Sequence, residues 1–194
     1  MLNLDFTEEQ DMLREMVRGV LAQYASNEAV RALEDDPVGY SPELWSQLGE
    51  LDLLGLLLPA RYGGSEMSML EGVILYEELG RSLAPVPHLV SCVLGAGALV
   101  RAGSDEQRDA WLPRLASGDA ILTPAWLEPG NSFGPKGVQV RAEADGDGFR
   151  ISGTKQHVQF ASSADRLVVL ARTGDAPEAV DLFLVDPNAE GVTL

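Results

Sequence analysis

Apolar positions recur every three or four residues through the first 118 residues and every second residue after Asp119, so the chain changes from helix to strand near that point. Thr7 followed by Gln10 has the form of a capping box. Behind it Met12, Met16, Val17, Val20, Leu21 and Tyr24 make the apolar stripe of a first amphipathic helix. Asp36, Pro37 and Gly39 break that pattern, and Ser41-Pro42 restarts it with a cap and a proline at the first helical position. Leu44, Trp45, Leu48 and Leu51 supply its buried side. Pro59 to Gly64 reads as a turn, and Ser68 to Glu71 as a second capping box opening a helix through Leu79. Residues 88–101 are apolar or small nearly all round, the mark of a helix buried on every side. Ser104 to Gln107 starts one more helix, which Pro113 is expected to bend or end.

Beyond Asp119 the expected strands are 120–127, 138–144, 149–153, 166–171 and 179–186, with a hairpin turn at Asp145-Gly146-Asp147-Gly148. The fold class is therefore α+β: an all-helical part over residues 1–118, then an antiparallel β-domain of sandwich or barrel type over 119–194.

Composition narrows the function classes. A 45% hydrophobic fraction allows a full core, and a net charge of −16 disfavours nucleic acid and anionic membranes as partners. Residues 121–194 carry 6 basic and 10 acidic groups, against 8 and 20 before them, so an anionic ligand is better received in the second part. The one cysteine, Cys92, sits in an apolar run and reads as a buried structural thiol. No His or Cys spacing points to a metal. The N-terminus lacks a basic-then-apolar leader, and the apolar run from Leu89 to Val100 is shorter than the roughly 18 residues of a spanning helix. A cytoplasmic location is the expectation.

Five segments, in order, resemble the acyl-CoA dehydrogenase family: Phe6 to Gln10, Leu58 to Gly64, Glu77 to Arg81, Gly103 to Gln107 running into Leu112 to Gly118, and the β-segment. The last contains Leu127-Glu128-Pro129-Gly130, Gly148 to Lys155 and Ala164-Asp165-Arg166. The resemblance implies an FAD enzyme that removes hydrogens from the α and β carbons of an acyl-CoA thioester. It also implies an electron-accepting flavoprotein as partner, assembly as a homo- or hetero-oligomer, and a second helical domain, bearing the glutamate base, that these 194 residues lack. No catalytic residue is assigned among them.

Two loops resemble the family's flavin-facing loops. In the first, Trp126 to Gly134, this chain has Leu127 where the family usually has Thr; Trp126 and Leu127 are candidates through their backbone amides. Ser132 is a candidate toward cofactor and substrate, and Phe133 toward substrate. In the second, Gly153 to Ala161, His157 takes an aromatic position, followed by Val158, and Gln159 takes a Thr position. His157 reads equally as a flavin-face residue and as an ordinary strand-end histidine. Glu128, in a Glu-Pro turn, takes a structural role; Lys155 takes a surface or packing role; Asp165 caps or orients the next strand. Two readings stand: part of a catalytic acyl-CoA dehydrogenase, or a non-catalytic subunit or remnant of the same fold assembling with a competent partner.

Overall fold

A computed structural model describes residues 5–130 and 134–194. The helices begin where side chains supply the acceptors that their first amides need. Thr7, Ser68 and Ser104 form full capping boxes with Gln10, Glu71 and Gln107, opening α1 (Glu8–Tyr24), α4 (Met69–Arg81) and α6 (Asp105–Ser117). Ser41 caps α3 (Pro42–Glu50), with Pro42 in the first turn. A short α2 (Asn27–Ala32), capped by Ser26, was not expected from the pattern; it buries no residue, so it carries no apolar stripe to read.

The buried stripe of α1 is Leu13, Val17 and Leu21, with Val20 and Tyr24 partly buried beside it, so the expected stripe holds except at Met12 and Met16. Met12 and Met16 are 69% and 38% exposed, because each is one residue, about 100° of helical rotation, from the positions facing α3 and α4. Residues 88–101 are helical but begin as a π-helix (Leu89–Gly95) before α5 (Ala96–Ala102). Leu89 lies half exposed, so the burial there is not complete. Pro113 does not end its helix. α6 runs on to Ser117, since fully buried Leu112 and Leu115 hold the last turns against the core and Gly118 closes them with φ +86°.

The sheet contains β1 (Leu122–Ala125), β2 (Arg141–Asp145), β3 (Gly148–Ser152), β4 (Arg166–Arg172) and β5 (Val180–Val185). It is mixed. β2–β3 and β4–β5 are antiparallel, as expected of hairpins, whereas β1 lies parallel to β4, and β2 meets the end of β4 in the same sense. The parallel pairing follows from the long connection between β1 and β4, which contains β2 and β3. The alternation over 138–144 ends at buried Ala142, and Ala144 is exposed at the hairpin end.

The helical part and the sheet are joined by two buried clusters. Leu13, Val17, Leu44, Leu48, Ile74 and Leu75 of the helices belong to the same buried cluster as Ile121, Ala125, Leu167 and Val169. The π-helix lies against β1, where Ser91 Oγ accepts the Leu122 amide at 3.2 Å. A Cβ on Gly95 would stand 2.8 Å from Leu122 Cβ, so only glycine permits this approach. Across α1 and α4, the buried carboxylate of Glu78 takes two hydrogen bonds from Arg18 and an ion pair from Arg81. The Arg18 guanidinium above all holds its pKa below the usual carboxylate range.

Candidate functional site

The first loop leaves the end of β1 at Trp126, and the second runs from the end of β3 to the start of β4. They are drawn side by side by a set of polar contacts. Leu127 O accepts the Gln156 amide at 2.9 Å, and Glu128 O accepts Gln156 Nε2 at 3.3 Å. Thr123 Oγ1, inside β1, donates to Gln159 O at 2.6 Å. Lys155 Nζ donates to Glu128 Oε1 at 2.7 Å and reaches Trp126 O at 3.4 Å.

Glu128 is the knot of this arrangement. Its side chain is 4% exposed, and besides Lys155 its carboxylate accepts the Gln139 and Val140 amides at 2.8 and 3.1 Å. Burial pushes its pKa up, but the Lys155 ammonium and those two amides outweigh burial and hold it below the usual range. A carboxylate kept ionised and engaged in this way is a poor proton acceptor for a substrate. It is a tether, as its place in a Glu-Pro turn suggests. Lys155, 9% exposed, is its partner rather than a surface cation. Asp165 stands just before β4 and accepts the Ile121 amide at 2.9 Å, joining the starts of the two parallel strands.

Of the expected site residues, Trp126, Leu127, His157, Val158 and Gln159 fall on this one strip. Trp126 is 43% exposed, and His157 and Gln159 are exposed. Val158 points the other way and packs against the core, so its side chain is a foundation for the loop. Ser132 and Phe133 lie outside the described residues. His157 and Phe160 both adopt left-handed backbone, with φ +55° and +54°. Sequence reasoning missed Thr123, Gln156 and Phe160 as residues that fix the loops; a hydroxyl within a short strand and a glutamine in a loop carry no local signal of their distant partners.

The strip has the chemistry of a receptor for a flat, polar-edged ring system. The carbonyls of Trp126 and Leu127 are occupied by the second loop, while their amides donate to no described residue. Those amides, with the exposed Gln159 amide, suit the acceptor atoms of such a ring, and the exposed rings of Trp126 and His157 suit its faces.

His88 lies apart from this strip and is buried. Its Nε2 faces Leu53 O at 3.1 Å, which can only accept, so Nε2 carries the proton and Nδ1 accepts from Tyr76 Oη at 2.6 Å. Burial lowers its pKa to about 4. Cys92, also buried, is a structural thiol pushed far up by burial. Among the described residues, no helix is long and apolar enough to cross a membrane.

The family description "Acyl-CoA dehydrogenase, N-terminal domain" matches residues 7–119, and "Acyl-CoA dehydrogenase, middle domain" matches residues 124–194. The chain is 33% identical to mitochondrial isovaleryl-CoA dehydrogenase of Bos taurus over 171 residues, covering 86% of this chain and 39% of that protein. Its fold is similar to a chain of the ChsE4-ChsE5 complex of Mycobacterium tuberculosis, with a TM-score of 0.86 and 32% identity over 99% of this chain and 50% of that one. It is also similar to a glutaryl-CoA dehydrogenase of Mycobacterium smegmatis in complex with FADH2, with a TM-score of 0.83 and 29% identity over 96% of this chain and 47% of that one. The chain thus spans half or less of the length of these relatives. With both family descriptions matched in order, one over the helices and one over the sheet, the chain belongs to the acyl-CoA dehydrogenase family.

Proposed function

We propose that this chain is the helical and middle part of a flavin-dependent acyl-CoA dehydrogenase, with residues 1–118 as the helical domain and 119–194 as the β-domain. The observation that carries the reading is the strip formed by residues 126–128 and 157–159, tied together by Glu128, Lys155 and Gln156. In this reading the Trp126 and Leu127 amides hold the polar edge of FAD, and His157 and Gln159 stand along its ring. FAD, when bound, supplies the acceptor for the hydride leaving the β-carbon of the acyl thioester. The Trp126 ring stands at that side of the strip. Ser132 and Phe133 are proposed contacts for the acyl-CoA.

The proton leaving the α-carbon needs a base within hydrogen-bond reach. Glu128, the carboxylate held against these loops, is committed to Lys155 and two amides, so the base is assigned to the remainder of the whole protein. Neither turnover nor tight FAD binding is expected of these 194 residues alone. The proposal further includes a cytoplasmic setting, an electron-accepting flavoprotein as partner and assembly as an oligomer.

A second reading is favoured by Leu127, His157 and Gln159, which replace residues usual in the family's loops: a non-catalytic subunit that assembles with a competent partner. The ChsE4-ChsE5 relative is itself a complex of two different chains. Anaerobic addition of acyl-CoA to the FAD-loaded whole protein separates the readings. Bleaching of the oxidised flavin supports the dehydrogenase; a flavin that stays oxidised until a partner chain is added supports the second reading.

A further inference from the structure

The second loop has an unusual anchorage that lies outside the strip itself. His157 and Phe160 are both left-handed, so Val158 and Gln159 form a short bulge between two backbone positions that side chains other than glycine adopt at a cost. Something must hold them there. At Phe160 the restraint comes from the helical part of the molecule. Its ring meets Tyr40 edge-on, with centroids 6.2 Å apart and an interplanar angle of 81°. Tyr40 in turn meets Trp45 edge-on at 6.3 Å, and the Trp45 indole N–H donates to Gly118 O at 2.9 Å, where α6 closes.

The turn that carries Tyr40 is itself fixed. Asp36 Oδ1 accepts the Val38 and Gly39 amides, at 2.7 and 3.3 Å, and Val38 O accepts Ser163 Oγ at 3.1 Å. An aromatic column therefore runs from the junction at Gly118 through Trp45 and Tyr40 to Phe160.

We propose that Tyr40 is a positioning residue for the cofactor-facing loop: its ring holds Phe160 left-handed and thereby sets where His157 and Gln159 stand. The inference rests on the reading of residues 126–128 and 157–159 as the flavin edge. An edge-to-face aromatic pair and the cost of a left-handed aromatic residue are of comparable size, so loss of the Tyr40 ring releases Phe160 toward ordinary backbone. Gln159 is bonded to Thr123 only through its carbonyl, so its amide side chain and the His157 ring swing with that backbone. The Tyr40 hydroxyl has no part in this, which makes phenylalanine a rescue.

The test compares the FAD-loaded whole protein with its Tyr40→Ala and Tyr40→Phe variants by amide hydrogen exchange, FAD affinity, and visible absorbance and circular dichroism of the flavin. In Tyr40→Ala, exchange through residues 157–163 quickens, FAD binds at least tenfold more weakly and the flavin dichroism changes. Tyr40→Phe restores all three. A purely structural loss would lower the melting temperature without altering the flavin signal of the folded fraction, and that result overturns the proposal. So does wild-type loop exchange in Tyr40→Ala. Should Tyr40→Ala fail to fold, Tyr40→Leu keeps an apolar side chain while removing the ring from its contact with Phe160, and the same two outcomes decide. A wild-type protein that binds no FAD defeats the flavin reading alone; loop exchange then still tells whether Tyr40 holds the loop.

Discussion

Two buried titratable side chains lose their contribution to stability as pH falls, one held as an anion and the other as a neutral ring. Glu128 is stabilised as an anion by Lys155 and two amides, so it contributes above the usual Glu range and loses that contribution as pH falls through its lowered pKa. Glu128→Ala strands a nearly buried ammonium and two amides, and is expected to cost about 3 kcal/mol in urea unfolding. Glu128→Gln, which keeps an acceptor but not the charge, costs less. His88 is instead stabilised as a neutral ring. Its pKa, lowered to about 4, lies below the unfolded value, so its contribution is complete above about pH 6.5 and is lost as pH falls toward 4. The loss is of the order of 3 kcal/mol if no other group compensates. The stability advantage of wild type over His88→Gln should therefore shrink between pH 7 and pH 4. An advantage that stays constant over that range would show that burial does not hold the His88 ring neutral. Sequence placed Glu128 correctly because a Glu-Pro turn constrains its own backbone. It gave no sign of His88, whose partners Leu53 and Tyr76 are distant in the chain.

Among the elements, those with local instructions were legible and those built by distant partners were not. Capping boxes at Thr7, Ser68 and Ser104 mark helix starts with two side chains three residues apart, and the period of two after Asp119 marks the strands. Pro113 does not end α6 because its cost is local, whereas the burial of Leu112 and Leu115 that offsets it is tertiary. Met12 and Met16 misled because a stripe of spacing three and four can be drawn on either side of Leu13 and Val17. The parallel seating of β1 on β4 was hidden as well, since pairing order is not written in strand composition. The π-helix rests on that strand through Gly95. Gly95→Val would drive its side chain into Leu122, and should destabilise by about 2 kcal/mol or more and disturb the start of the first loop. A melting temperature equal to wild type would show that the helix and β1 can separate without loss.

For the whole molecule, two buried clusters join the helical part to the sheet, so the two loops stand on a broad base. The family resemblance was legible across the chain because its motifs are turns and caps, each needing particular residues. The contacts that hold the loops together were not, because Thr123, Gln156 and Tyr40 act only through the fold. The central claim is that residues 126–128 and 157–159 together form one cofactor-facing edge. Amide hydrogen exchange of the whole protein with and without FAD tests it most directly. The amides of Trp126 and Leu127, which donate to no described residue, and those of the 157–160 bulge should gain protection together when FAD binds. Saturable FAD binding that leaves both loops unprotected, or protects only one, would contradict it.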